Sequence, residues 1–342
     1  MTTASLAARL WRLAPFLVLL SFLLVALLFA IVRRSDDTTV LRWGHVYETS
    51  SAFHKEALKV ADRFETETAG RYRIRVYPAS SLGNEVSLNE ALNLGSVDLI
   101  YTGPSLAAQY YGPLGMSDFP YANSDMAHWH SYRDSELFRE LANASGAATG
   151  NEILALTFYG FRHVTSNRPI RSPEDMRNLK IRVPNAPAFM MMPQATGANP
   201  TPMPFSEVYL GLQQGVVESC ENPLTTIYYK RFYEVQSHIS LTGHIANSLV
   251  IIMSGKAKSE LPEEDRALLA RLIDDAAANA TNEITKQEAE LVAWYRDNGI
   301  KVVEADRQAF RDTVYPELTR PGLPFSPELL ARLAALEGAA DG

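Results

Sequence analysis

Between Pro262 and Asn298 the chain carries no internal glycine or proline, and no other feature restricts the possible folds as much. Leu269, Leu272, Ile273, Ala276, Ala280, Ile284, Leu291 and Tyr295 recur there at helical spacing, and Gly299 follows as a stop. At the α-helical rise such a segment is about 55 Å long. It therefore crosses more than one lobe or protrudes. Alanines on its inner face favour packing along a compact body. A coiled coil is the alternative, but the sequence lacks a clean heptad.

The region ahead of this helix reads as alternating strands and helices. Leu41 to Val46 forms a strand. Phe53, Ala57, Val60, Ala61 and Phe64 keep helical spacing up to Gly70, and Tyr72, Ile74 and Val76 alternate with arginines up to Pro78. Glu85 to Leu94 is a second helix, stopped by Gly95, and Val97 to Tyr101 the next strand. This β-α-β-α-β order predicts a parallel sheet with right-handed crossovers. The pattern resumes downstream. Ser172 caps a helix with Pro173, Glu174 and Asp175 in its first turn, Leu179 to Val183 is a strand, and Ser206 and Glu207 open a helix ending at Gly215. Val216 to Cys220 is again a strand. The segments LNLGSVDLIY (Leu92 to Tyr101) and LQQGVVESCE (Leu212 to Glu221) echo each other loosely, as two similarly built lobes would.

A length of 342 residues suits two domains or one bilobed body, and 46% apolar with 21% charged residues is a composition that can bury a core. Net charge is −7, and beyond Arg34 there are 28 basic against 39 acidic residues. That balance argues against nucleic acid as a partner. The single cysteine, Cys220, excludes an intrachain disulfide and reads as a small buried hydrophobe. Leu13 to Val32 is apolar and uncharged, about 30 Å as a helix, and Arg9 and Arg12 precede it. This predicts export, with the segment either a cleaved signal peptide or an uncleaved anchor in the inner membrane.

Catalytic signatures are missing. There is no Gly-x-Ser-x-Gly elbow, His-Glu-x-x-His helix, P-loop or Gly-x-Gly-x-x-Gly turn. His128 and His130, two apart on a helix, point to different faces and share no metal. The sequence thus predicts no enzyme, no cofactor and no metal. What it offers instead is Arg162 in YGFRHVTSN, Arg182 in LKIRVPN just ahead of Pro184, and Asn222 where a strand gives way to Pro223. Strand ends of parallel α/β sheets are where ligand-contacting side chains gather. A guanidinium there takes a carboxylate through two parallel hydrogen bonds, and an amide both donates and accepts.

From Phe161 to Ile245 the chain resembles the solute-binding proteins of TRAP (tripartite ATP-independent periplasmic) transporters. The likeness is carried by TSNRPI, MRNLKIRVPNAP, GANPTPMPFSEVYLGLQQGVVESCENPL, RFYEVQ and LTGHI, with weaker similarity in GRYRIRVYPASSLGNE and from about Leu41 to Pro316. It covers the sialic-acid and sugar-acid branch as much as the C4-dicarboxylate branch. It implies an α/β, two-lobed periplasmic binding protein fold with a ligand cleft between the lobes and a long helix spanning both. Residues 1–34 would be the signal peptide or anchor, 35–159 plus 248–287 lobe I, and 160–247 plus 288–342 lobe II. By similarity Arg182 pairs with the ligand carboxylate, Arg162 supports it, Asn222 orients it and Phe205 walls the pocket. Asn185 and His244 are rim or water-linked contacts. His45, Glu48, Glu85, Tyr101 and Thr102 are first-lobe candidates for ligand hydroxyls. Val46 and Gly103 stand where the sialic-acid branch carries an amide and an acid, which argues against sialic acid itself. The implied function is a periplasmic receptor that binds a small carboxylate and delivers it to membrane permease subunits. The alternative is a membrane-anchored sensory co-receptor of the same fold.

Overall fold

The computed structural model describes residues 20–22 and 38–338. The segment Leu13 to Val32, read as signal or anchor, lies outside the described residues except for three positions. Among the described residues no helix is long and apolar enough to cross a membrane.

Strand β1 (Thr39–Gly44) buries Leu41 and Trp43, and leads to helix α1 (Ala52–Glu67). The Ser51 side chain caps α1 by accepting from the His54 amide, and Phe53, Ala57, Val60 and Phe64 form its buried stripe. Then come β2 (Tyr72–Tyr77), α2 (Glu85–Asn93), capped by Asn84, and β3 (Leu99–Thr102). These three strands are parallel, in the order β2-β1-β3, as their alternation with helices predicts.

The parallel sheet ends there. Helices α3 (Met126–Asp134) and α4 (Glu136–Thr149) precede a 15-residue strand, β4 (Glu152–Ser166). It is followed by β5 (Lys180–Val183), α5 (Pro187–Ala195), β6 (Asn199–Pro202), α6 (Val208–Gln213), β7 (Ser219–Pro223), α7 (Leu224–Tyr229), β8 (His238–Ser240) and β9 (Ala246–Met253). The strand path is β2-β1-β3-β9-β4-β7-β5-β6, with β8 beside β4. Strand β9 is antiparallel to both β3 and β4, and β4 is antiparallel to β7, so the sheet is mixed and not wholly parallel. Such pairs need no crossover helix, which is why the alternation of elements does not reveal them. The segment after Ser172 also differs from expectation: it is a single 3₁₀ turn, Pro173–Met176, closed by a Ser172–Asp175 capping box.

Strand β4 joins the two halves. Its residues 152–161 pair with β9, and from Arg162 onward it pairs with β7 instead. The ladder is irregular between Phe158 and Gly160. Gly160 has φ +124°, and a Cβ there would lie 2.4 Å from Glu288 Oε1 and 2.6 Å from Pro223, so only glycine fits. Helix α8 (Glu263–Asp297) runs along this crossing. Thr281 Oγ1 accepts from the Phe158 amide, Glu288 from the Phe161 amide, and Tyr295 donates to the Leu224 carbonyl. The long helix thus packs lengthwise on the body and spans both halves. It is followed by β10 (Lys301–Val303), which pairs with β8, then α9 (Arg307–Val314) and α10 (Pro327–Ala334). Helix α10 returns to the first half: its Leu333 carbonyl meets His128 Nε2 at 2.8 Å, and Arg332 pairs with Glu140.

Candidate functional site

The two sequence segments that echo each other fold alike: α2 into β3 and α6 into β7, each through a left-handed glycine, Gly95 and Gly215. Strands β3, β5, β7 and β9 bring their ends to one cleft, and β4 brings its middle, at Tyr159 and Arg162. A hollow of about 290 Å³ lies there, walled by Glu85, Leu106, Arg182, Asn185, Met203 and Phe205 among others. A smaller one of about 30 Å³ shares Glu85, Leu106, Arg182 and Phe205, and reaches Tyr47, Tyr159, Arg162, Asn222 and Asn247.

Arg182 sits on β5 and is 2% exposed. Its Nε and Nη2 both donate to the Met203 carbonyl, at 3.0 and 2.7 Å. Met203 lies between Pro202 and Pro204, which favour extended backbone and hold that carbonyl toward β5. Among the described residues no carboxylate forms an ion pair with Arg182, and none accepts a hydrogen bond from its Nη1. Burial pushes this guanidinium down to about 10, against weaker opposing pulls from Cys220, Glu221 and Glu85. It remains charged at neutral pH. Phe205 stands between two cations, with the Arg182 guanidinium 6.0 Å from its ring centre and the Lys230 ammonium 4.7 Å away.

Arg162, also 2% exposed, is bound quite differently. Its Nε donates to Glu221 Oε2, its Nη2 to Glu221 Oε1 at 2.8 Å and to the Glu221 carbonyl at 2.6 Å, and its Nη1 to Asn247 Oδ1 at 2.8 Å. Burial alone would lower its pKa; the Glu221 carboxylate more than reverses this, and the net shift is upward. For Glu221 burial raises and Arg162 lowers, with Arg162 prevailing. The network continues through Asn247 to Asp118, whose carboxyl burial pushes up to about 6, and through His244, whose Nε2 lies 3.4 Å from Glu221.

Of the residues singled out in the sequence, Arg182, Phe205 and Glu85 wall both hollows, Asn185 the larger, and Arg162 and Asn222 the smaller. Glu48 lies in a side niche and forms an ion pair with Lys230. His45, Tyr101, Thr102 and His244 stand behind the wall and line neither hollow. His45 bonds His54 at 3.1 Å, Tyr101 stacks on Trp43, and His244 backs Glu221. Thr102 Oγ1 lies 3.4 Å from Glu85 Oε1 and accepts from Asn89. Each of the four is held by its own protein contacts, and Tyr101 and Thr102, consecutive in β3, point to opposite faces of the strand. Glu221, Asn247, Tyr47, Tyr159 and Lys230 were not foreseen. For Glu221 no local signal existed, since the burial of all five residues of its strand emerges only in the fold. Val46 and Gly103 do line the smaller hollow, so neither offers it a polar side chain. Cys220 is buried, 3.1 Å from Thr165 Oγ1, with its thiol pushed up to about 11 by burial; it acts as a packing residue.

Residues 43–320 match the model of the bacterial extracellular solute-binding protein family 7, DctP, and the chain belongs to that family of TRAP solute-binding proteins. It is 31% identical over 301 residues to the sialic acid-binding periplasmic protein SiaP of Vibrio cholerae, covering 88% of this chain and 94% of that one. It is 29% identical to the 2,3-diketo-L-gulonate-binding periplasmic protein YiaO of Escherichia coli, over 85% and 89% of the two chains. Among solved structures, a TRAP periplasmic solute-binding protein from Polaromonas sp. JS666 bound to D-erythronate superposes with a TM-score of 0.82 at 31% identity, covering 88% of this chain and 98% of that one. One from Roseobacter denitrificans with bound L-galactonate has a TM-score of 0.82 at 29% identity, covering 88% and 99%. The two-lobed α/β fold is common to these relatives.

Proposed function

We propose that this protein is the periplasmic receptor of a TRAP transporter, that it captures a small hydroxy or sugar acid through Arg182, and that it hands the acid intact to the membrane permease. The observation that carries the reading is the buried, charged Arg182, which has no acid of its own among the described residues. Burying a cation is costly unless it is paired, so the arrangement makes sense when the partner arrives from outside. Arg162 supports it with whatever donor capacity Glu221 and Asn247 leave on Nη1, and Asn222 orients the carboxylate. The D-erythronate and L-galactonate bound by relatives are acids of this kind. Charge-assisted hydrogen bonds are worth about 1.5–3 kcal/mol each. Two or three of them, with burial of the carbon chain, account for the about −8 kcal/mol of a micromolar complex.

Strand β4 crosses between lobes taken as 35–159 plus 248–287 and 160–247 plus 288–342, with α10 folded back on the first. A ligand held by both lobes favours their closure by its differential affinity. The Leu13 to Val32 segment is the export element in this reading. Arg182→Lys keeps the charge and loses the planar fork. Titration calorimetry with D-erythronate and L-galactonate is expected to show at least a tenfold weaker complex for the variant. Equal affinity would remove Arg182 from the role of clamp.

A further inference from the structure

We infer that Glu85 restricts this receptor to monocarboxylates bearing a hydroxyl group and excludes dicarboxylates; this rests on the reading above. The larger hollow holds two charged side chains facing a common space, Arg182 and Glu85. Glu85 opens α2 and is placed by the fold: its Oε1 accepts from the Gly103 amide at 3.2 Å and lies 3.4 Å from Thr102 Oγ1. Both partners sit at the end of β3, so the carboxylate is held against the wall and not swung into solvent.

The charges in and behind the cleft decide what enters. Arg162 is neutralised by Glu221, and Lys230 by Glu48 in the neighbouring niche. Arg182 is the one cation lining the larger hollow, among the described residues, and one ligand carboxylate satisfies it. A second carboxylate on the same ligand would find no further cation there and would face Glu85, a like charge in a weakly screened space. Glu85, an acceptor only while ionised, needs a donor.

Asn84 makes that donor a hydroxyl and not an ammonium. Its Oδ1 is engaged as the cap of α2, accepting from the Ser87 amide at 3.0 Å, which leaves its NH₂ to the hollow that it lines. The wall thus sets an acceptor beside a donor. A hydroxyl, with one proton and two lone pairs, matches both. An ammonium has three protons and no lone pair to offer Asn84. Val46 and Gly103 add no polar side chain to compensate.

The test is calorimetry at pH 7.5 with L-galactonate, D-erythronate, succinate and L-2-aminobutyrate, which carries an ammonium and no hydroxyl, on the wild type and on Glu85→Gln, with thermal melts of both to establish that each is folded. Should Glu85→Gln fail to fold, Glu85→Ser takes its place. The expected result is that the wild type prefers an aldonate over succinate at least 100-fold, and that Glu85→Gln weakens the aldonate about tenfold while narrowing that preference at least tenfold. Succinate binding as tightly as an aldonate, or a preference that Glu85→Gln leaves unchanged, would overturn the inference while Arg182 remained the clamp. L-2-Aminobutyrate outranking the aldonates would overturn the hydroxyl assignment. If none of these acids bound, or binding ignored Arg182→Lys, the proposed function would fail first, and this inference with it.

Discussion

Arg162 and Arg182 are equally buried, lie two strands apart in one sheet, and do opposite work. Arg162 is folded into the protein's own chemistry: Glu221 takes one edge of its guanidinium and Asn247 another. Among the described residues Arg182 has a single backbone carbonyl and no acid. The contrast teaches that a buried arginine supplied with an internal carboxylate is framework, whereas one denied it is a receptor for somebody else's. Both cost desolvation. In the first the fold repays it, and in the second the ligand does.

The most severe challenge to this contrast is a pair of substitutions studied without ligand. Arg162→Met leaves Glu221 buried and unpaired beside His244, and is expected to lower unfolding free energy by about 3–5 kcal/mol in urea titrations. Arg182→Met strands no acid, so the unliganded protein should melt at the same temperature or higher while losing acid binding. Equal destabilisation by the two would mean that Arg182 is framework as well.

A second comparison sharpens the first, since among the described residues Glu221 has a cation and Glu288 has none. Glu288 lies beneath the β4 crossing, takes the Phe161 amide on Oε2 and leaves Oε1 without a hydrogen bond. Burial pushes its carboxyl up to about 8, with the Phe161 and Leu224 amides opposing. The folded protein therefore keeps a proton there that the unfolded chain loses near 4.5. Stability should fall as pH rises from about 4.5 to 8, by up to about 1.4 kcal/mol per unit from this group, and level off above. Glu288→Gln should flatten that slope in thermal melts across the window. A slope of unchanged size would mean that Glu288 is ionised throughout.

The smallest effect is expected at Glu48 and Lys230, the pair that joins the loop after β1 to the end of α7. Both side chains keep some contact with solvent, 30% and 17% exposed. Glu48→Gln should change unfolding free energy by less than about 1 kcal/mol, and less still at high salt. A loss as large as that of Arg162→Met would place this pair in the framework too.

Much of the architecture was legible because it rests on local rules. Helix α8 shows in a 3.6-residue period without interruption, and α1 and α2 in their caps and stripes. Strands β1 to β3 show in alternation closed by glycine or proline. The mixed sheet was not legible, because antiparallel neighbours such as β3 and β9 are brought together from 150 residues apart with no crossover to announce them. The site divides along the same line. Arg182, ahead of Pro184 at a strand end, stood out by type and position. His45 and Tyr101 had suitable chemistry, but packing against His54 and Trp43 holds them inward.

The sequence by itself determined most of the elements, the long helix, and a pair of arginines on strands, since periodicity, capping and breakers act within a few residues. Only the tertiary structure decided which arginine is spoken for. Glu221 reaches Arg162 across 59 residues of chain, and whether a charge is paired or left waiting depends on what long-range packing carries into the same water-poor space.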